Sequence, residues 1–194
     1  MLRLRDYFPF LKGWSYDTFV KRNVDVTRKV KTILRRREKG WLVSIIMMAS
    51  NKYVTLEVKT DQFSLTLNPE TLYNLRIVST LKPSHLPFTV RYSEETAGSE
   101  TGYFAVALDD ADWVPYSGTL EIRAQIPEKV ILPDYTTVTP TATSAKIYFL
   151  QVVRVRIVSE RDFFTSLQKL LATMAIGREP RAEEIEKIKA KLLG

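Results

Sequence analysis

Hydrophobic positions recur with period two along most of this chain, and that period predicts strands. The plainest stretch runs from Gly40 to Leu67. Trp41 to Ser50 is apolar on both faces apart from Ser44, which predicts a covered, central strand. Tyr53 to Lys59 alternates, with Val54, Leu56 and Val58 on one face and Tyr53, Thr55, Glu57 and Lys59 on the other. Phe63, Leu65 and Leu67 repeat the pattern against Gln62, Ser64 and Thr66. Each of these strands offers an apolar face to a shared core.

Upstream, Val24 to Leu34 alternates in the same way and is rich in β-branched residues. It predicts a strand, with a basic helix as the competing reading because Lys and Arg are good helix formers. The run Arg35 to Gly40 then becomes a charged hairpin tip leading into Trp41. Downstream, strands are expected at Phe88–Tyr92, Tyr103–Leu108, Thr119–Ile126 and Ala145–Val158, with shorter candidates at Thr71–Val78 and Lys129–Leu132. Between them, Ser93–Thr101 reads as a mobile polar loop, Asp109–Gly118 as a long corner, and Pro133–Ser144 as a crossing loop. About nine or ten short strands with no helix between them predict a mainly β fold, an antiparallel β-sandwich of jelly-roll-like form.

The period changes at the C-terminus. Ser159 suits an N-cap, with Asp162 three residues on, and Phe163, Leu167, Leu170, Leu171 and Met174 follow at helical spacing. Gly177 ends that helix, and Pro180 opens a second one whose apolar stripe is only Ile185, Ile188 and Leu192. At the other end, residues 1–22 hold Tyr7, Phe8, Phe10, Trp14, Tyr16 and Phe19, interrupted by Pro9 and Gly13. So aromatic an arm must lie across its own domain or dock on a neighbour. The expected division is an arm at 1–22, a β-sandwich at 23–158 and a helical extension at 159–194.

Composition narrows the chemistry. The 194 residues include no cysteine and a single histidine, His85. Thiolate zinc sites, cysteine nucleophiles and histidine-rich metal sites are therefore excluded, and a catalytic triad would rest on His85 alone. Glu94, Glu95 and Glu100 fall in the expected mobile loop, where no fixed acid–base separation is held. The acidic run Asp109–Trp113 lacks the spacing of a calcium loop. No enzyme and no cofactor are expected. The longest apolar run, Trp41 to Ala49, falls short of the roughly 20 residues of a spanning helix, so no membrane span is expected. The N-terminus has no apolar run before Lys12 and does not read as a secretory signal.

The net charge of +7 is local: residues 21–39 hold nine basic residues against Asp25 and Glu38, which accounts for all of it. Arg28, Lys29, Lys31, Arg35, Arg36, Arg37 and Lys39 are candidate contacts for nucleic-acid phosphates or an acidic partner surface, and Trp41 beside them could stack on a base. Tyr92, Tyr103, Trp113 and Tyr116 are a candidate glycan platform, set against a role in closing the ends of the sandwich. Phe8, Phe10, Trp14 and Phe19 in the arm and Ile185, Ile188 and Leu192 in the last helix are candidate oligomer contacts.

Two stretches carry a resemblance. Gly40-Trp41-Leu42-Val43 leading into Tyr53-Val54-Thr55-Leu56-Glu57-Val58 resembles the opening strands of β-sandwich virion proteins from tailed phages and archaeal viruses. Pro115 to Ile122 is similar to their later strand after an aromatic–proline corner. The resemblance brings no site residues with it. It implies a structural, oligomeric protein of a capsid, neck, tail or fibre, located in the virion, with the cytoplasm as the alternative. The expected function is a non-catalytic assembly protein that oligomerises through its terminal elements. A carbohydrate-binding module and a nucleic-acid-binding protein using residues 28–39 are the alternatives.

Overall fold

A computed structural model describes residues 4–62, 64–71, 88–94, 99–132 and 134–176; the side chains of 4–6, 88–94, 108–113, 175 and 176 lie outside that description. The described strands in chain order are β1 (Trp14–Thr27), β2 (Lys31–Arg37), β3 (Gly40–Asn51), β4 (Thr55–Thr60), β5 (Ser64–Leu67), β6 (Phe88–Glu94), β7 (Thr101–Tyr116), β8 (Thr119–Gln125), β9 (Val130–Ile131), β10 (Thr137–Val138) and β11 (Ser144–Ile157). A 3-10 helix, Leu4–Phe10, precedes them, and helix α1, Glu160–Ile176, follows. The fold is mainly β.

Strand β3 is central, as its apolar run predicts: it is the third of five strands in the order β1-β11-β3-β7-β6. It pairs antiparallel with β7 from Gly40 opposite Tyr116 to Asn51 opposite Thr101, with register shifts at Leu42/Ser44 and Ala49/Asn51. A second sheet has the order β2-β8-β4-β5, each neighbour antiparallel to the next. Strands β9 and β10 make a separate two-stranded ribbon.

By its contacts the chain divides into two compact units, residues 17–154 and residues 1–16 with 155–194. In the larger unit both sheets line one core. Val26, Leu42, Ile45, Met47, Ile147, Leu150 and Val152 come from the five-stranded sheet, and Leu34, Leu56, Val58, Leu120, Ile122 and Ala124 from the four-stranded one. Within β4 and β8 these residues occupy alternate positions, so the period-two pattern became the core face. Each fully buried aliphatic side chain contributes about 1.5–3 kcal/mol relative to exposure. The opposite row of β3, Trp41, Val43, Ile46 and Met48, is half-buried.

In the smaller unit, Phe8 is buried and packs edge-on against Trp14, with ring centroids 5.0 Å apart, and against Phe163 at 6.0 Å. Trp14 Nε1 donates to the carbonyls of Phe8 and Leu11, at 3.0 and 2.9 Å. Gly13 sits at φ 72°, in the left-handed region that glycine adopts without a Cβ clash. Its carbonyl accepts from Val158 and Ser159 N–H, at 2.8 and 3.0 Å. Ser159 caps α1, its Oγ accepting from Asp162 N–H at 3.3 Å.

The structure departs from the sequence reading at three places. The strand expected over Val24–Leu34 is broken: β1 starts ten residues earlier, at Trp14, and ends at Thr27, and β2 begins afresh at Lys31 in the other sheet. Arg28 marks the break, because its guanidinium donates to Pro127 O at 2.9 Å and Pro140 O at 2.7 Å. The charged hairpin tip at Arg35–Gly40 is instead a corner, because β2 pairs with β8 while β3 pairs with β7. The corner expected at Asp109–Gly118 is strand as far as Tyr116, and the turn is confined to Ser117 and Gly118. There the Asp61 carboxylate accepts from both N–H groups at 3.1 Å and from the Ser117 hydroxyl. The second C-terminal helix and most of the Thr71–Val78 candidate lie outside the described residues.

Candidate functional site

The basic segment is spread over two strands and a corner. Arg28 is held by two carbonyls, and Lys31 Nζ donates to Asp25 O at 3.0 Å. Lys29 is exposed, as are Arg35, Arg36 and Arg37, which end β2. In the register Arg35 faces Glu121, Arg36 faces Leu120 and Arg37 faces Thr119. Leu120 points into the core, so Arg36 lies on the opposite sheet face from Arg35 and Arg37. Glu121 is engaged by Arg123 at 2.8 Å and by the Thr32 hydroxyl at 3.3 Å. The Arg123 hydrogen bond, then its charge, holds the Glu121 carboxyl below the usual carboxylate range. Lys39 and Trp41 follow at the corner and the start of β3.

The carboxylate nearest the arginines in sequence points elsewhere. Glu38 Oε1 accepts from Tyr116 Oη at 3.0 Å and lies 3.1 Å from Arg154 Nη1. Arg154, 2% exposed, also forms an ion pair with Asp17 through Nη2 and a 3.1 Å bond through Nε. Its Nη1 contact with Glu38 is ionic only, without the alignment of a hydrogen bond. Two carboxylates thus flank one buried guanidinium, and the Glu38 charge is directed inward. Burial, followed by the Glu38 carboxylate, pushes the Tyr116 hydroxyl above the ordinary tyrosine range.

Tyr116 is therefore a core residue, 2% exposed, and offers no ring face to a sugar. Tyr103 is exposed and stacks on Tyr148 with centroids 5.1 Å apart, while the side chains of Tyr92 and Trp113 lie outside the described residues.

The sequence pattern places Glu100 in a mobile loop without fixed partners. The structure holds it firmly. Its carboxylate accepts from Asn51 Nδ2 at 3.2 Å, Thr141 N–H at 3.0 Å, Thr141 Oγ1 at 2.6 Å and Ala142 N–H at 2.9 Å. Burial opposes the charge, but bonds from the Thr141 hydroxyl, the Ala142 and Thr141 amides and Asn51 outweigh it and bring the pKa down to about 2. Among the described residues no group of three or more His, Asp or Glu side chains is placed to hold a metal. No described helix is long and apolar enough to cross a membrane.

Of the expected oligomer contacts, Phe8 is buried within its own unit and Phe19 packs against the core of the larger one. Trp14 is half-buried, and Phe10 is 68% exposed. Ile185, Ile188 and Leu192 lie outside the described residues. A row within the helical pattern already read from the sequence, though not expected there as an oligomer contact, stands exposed. On α1, Phe164, Leu171 and Met174 are 44–47% exposed, with Leu167 half-buried between them. Their spacing, i, i+3, i+7 and i+10, is that of a coiled-coil seam and was present in the sequence. Phe163 and Leu170, on the neighbouring helical rows, obscured it. Tyr16 and Val158 of the same unit are also more than half exposed, at 55% and 53%.

Among known protein families none matches this chain, and no curated protein matches it. A solved structure titled "Crystal Structure of FLHE" is similar over 75% of this chain and 98% of that one, with 8% sequence identity and a TM-score of 0.33. A likeness at that level bears on neither fold nor function.

Proposed function

We propose that this chain is a non-catalytic assembly protein, a jelly-roll-like β-sandwich that associates with copies of itself through α1. The observation that carries this is the exposed seam Phe164, Leu167, Leu171 and Met174. Large apolar side chains left in water are costly, and a contiguous row of them marks an interaction surface. A heptad-spaced row is also self-complementary, so two copies can bury it against each other about a two-fold axis. Phe10, Tyr16 and Val158 add apolar surface to the same unit.

The charged groups favour a non-catalytic role. Glu100, Glu38 and Asp61 each spend their carboxylate on hydrogen bonds or ion pairs within the fold. The virion is the proposed setting, on the strand-pattern resemblance of residues 40–58 and 115–122. The test is the native mass of the full chain beside a variant in which Phe164, Leu171 and Met174 are replaced by Ser.

A further inference from the structure

We infer that the outer edge of β2 binds an acidic polypeptide segment in extended conformation, as an added strand. Strand β2 ends the four-stranded sheet, with β8 on its one paired side. Among the described residues no strand pairs with its other side. An edge strand presents a row of main-chain donors and acceptors that a further strand can satisfy. A register shift at Thr32/Leu34 interrupts the ladder, which leaves Leu34–Arg37 as the regular part of the edge.

Charge selects the occupant. Arg35, Arg36 and Arg37 are exposed at this edge. Glu38, the next residue, is committed to Tyr116 and Arg154, and Glu121 opposite Arg35 is committed to Arg123 and Thr32. The edge therefore keeps a strong positive charge. Arg35 and Arg37 share one face, spaced about 6.6 Å apart at two strand rises, and Arg36 takes the other face. An added strand alternates its side chains at the same interval and sets them about 4.5–5.5 Å from their cross-strand neighbours. Carboxylates at alternate positions of the added strand would meet Arg35 and Arg37, while Arg36, on the face of Leu120, donates from Nη1 to Arg35 O at 3.1 Å. Arg28, which could have extended a phosphate track, is already held by Pro127 and Pro140.

The experiment measures anisotropy of the full-length protein with three labelled probes: an eight-residue Glu/Val peptide, the same peptide N-methylated at alternate amides, and a single-stranded oligonucleotide of equal charge. The unmodified peptide is expected to bind best. Its affinity should fall about tenfold for Arg35→Ser/Arg36→Ser/Arg37→Ser, which removes the exposed ion pairs of Arg35 and Arg37 and the positive charge of the edge. N-methylation on the pairing edge should weaken it by a similar factor, since it removes main-chain donors. The arginines are exposed, so the variant should keep the native circular dichroism spectrum; Arg36→Glu/Arg37→Glu serves as a second variant with the same expected loss. Equal binding of the N-methylated peptide, preference for the oligonucleotide, unchanged affinity in both variants, or no peptide binding at low salt would each overturn the inference. Native mass plays no part in this readout, so failure of the helix-mediated association would be seen separately.

Discussion

Nη1 of Arg154 lies 3.1 Å from Oε1 of Glu38, and the same oxygen accepts the Tyr116 hydroxyl. This places the corner after β2, the later part of β11 and the end of β7 on one charged centre, with Asp17 of β1 also paired to the guanidinium. Removing one member of such a cluster leaves uncompensated charge behind. Arg154→Leu should cost about 3 kcal/mol, the lower end of the range for a broken buried pair because Asp17 is partly solvated. Urea unfolding measures it. Adding Glu38→Gln to Arg154→Leu should restore part of the loss, since one of the stranded carboxylates is then neutral.

Tyr116 supplies an alkaline prediction. Its hydroxyl pKa is raised by burial and by Glu38, so the native state favours the protonated form. That contribution is complete below the unfolded tyrosine value, about pH 10, and is lost as the pH climbs beyond it. Tyr116→Phe should remove this alkaline loss of stability while costing about 1 kcal/mol near neutrality for the missing hydrogen bond. Thermal melts between pH 8 and 11 would show a flatter slope for the variant, and identical slopes would count against the assignment.

Glu100 gives the opposite sign. Its pKa falls from 4.5 to about 2 on folding, so its contribution is present above pH 4.5 and is lost as the pH drops towards 2. The full shift would correspond to about 3 kcal/mol, and its partial exposure reduces that to about 1–2 kcal/mol. Glu100→Gln should show this deficit at pH 7 and a shallower loss of stability in acid.

Gly13 tests the smaller unit. It holds φ 72°, and a Cβ there would strike Ser159 O and Phe163 N, both backbone atoms at the start of α1. Gly13→Ala should cost about 1–3 kcal/mol through backbone strain and displacement of the helix start. Increased amide exchange at Phe163 is the expected local signature. Ser159→Ala, which removes only the cap, should cost about 1 kcal/mol.

Much of this architecture is legible in local pattern. Strands β4, β5 and β8 follow the alternation of their apolar residues, β3 follows its apolar run, and α1 begins at its predicted serine cap. Strand β11 fills its expected span, although its core residues Ile147, Leu150 and Val152 break strict alternation. What escaped depends on partners far along the chain. Arg28 breaks an otherwise regular alternation because it bonds to carbonyls 99 and 112 residues away. Asp109, Asp110 and Asp112 suggested a corner, yet β7 runs on through them: Asp109 pairs with both β3 and β6, Asp110 pairs with β6, and pairing with β3 resumes at Val114 after a register shift. Arg35–Lys39 resembled a hairpin tip because sequence adjacency does not reveal that β2 and β3 belong to different sheets. Glu100 sits among polar residues that signal a loop, and its clamp closes only when Asn51 and Thr141 arrive from elsewhere.

The most direct test of the proposed role is light scattering behind a sizing column, at low and high salt, on the wild-type chain and on Phe164→Ser/Leu171→Ser/Met174→Ser. These side chains are nearly half exposed and sit on α1 outside the β-sheet core, so the variant should keep its strand content. Self-association through an apolar seam predicts a wild-type multimer at both salts and a monomeric variant. A monomeric wild type, or a variant that assembles as before, would contradict it.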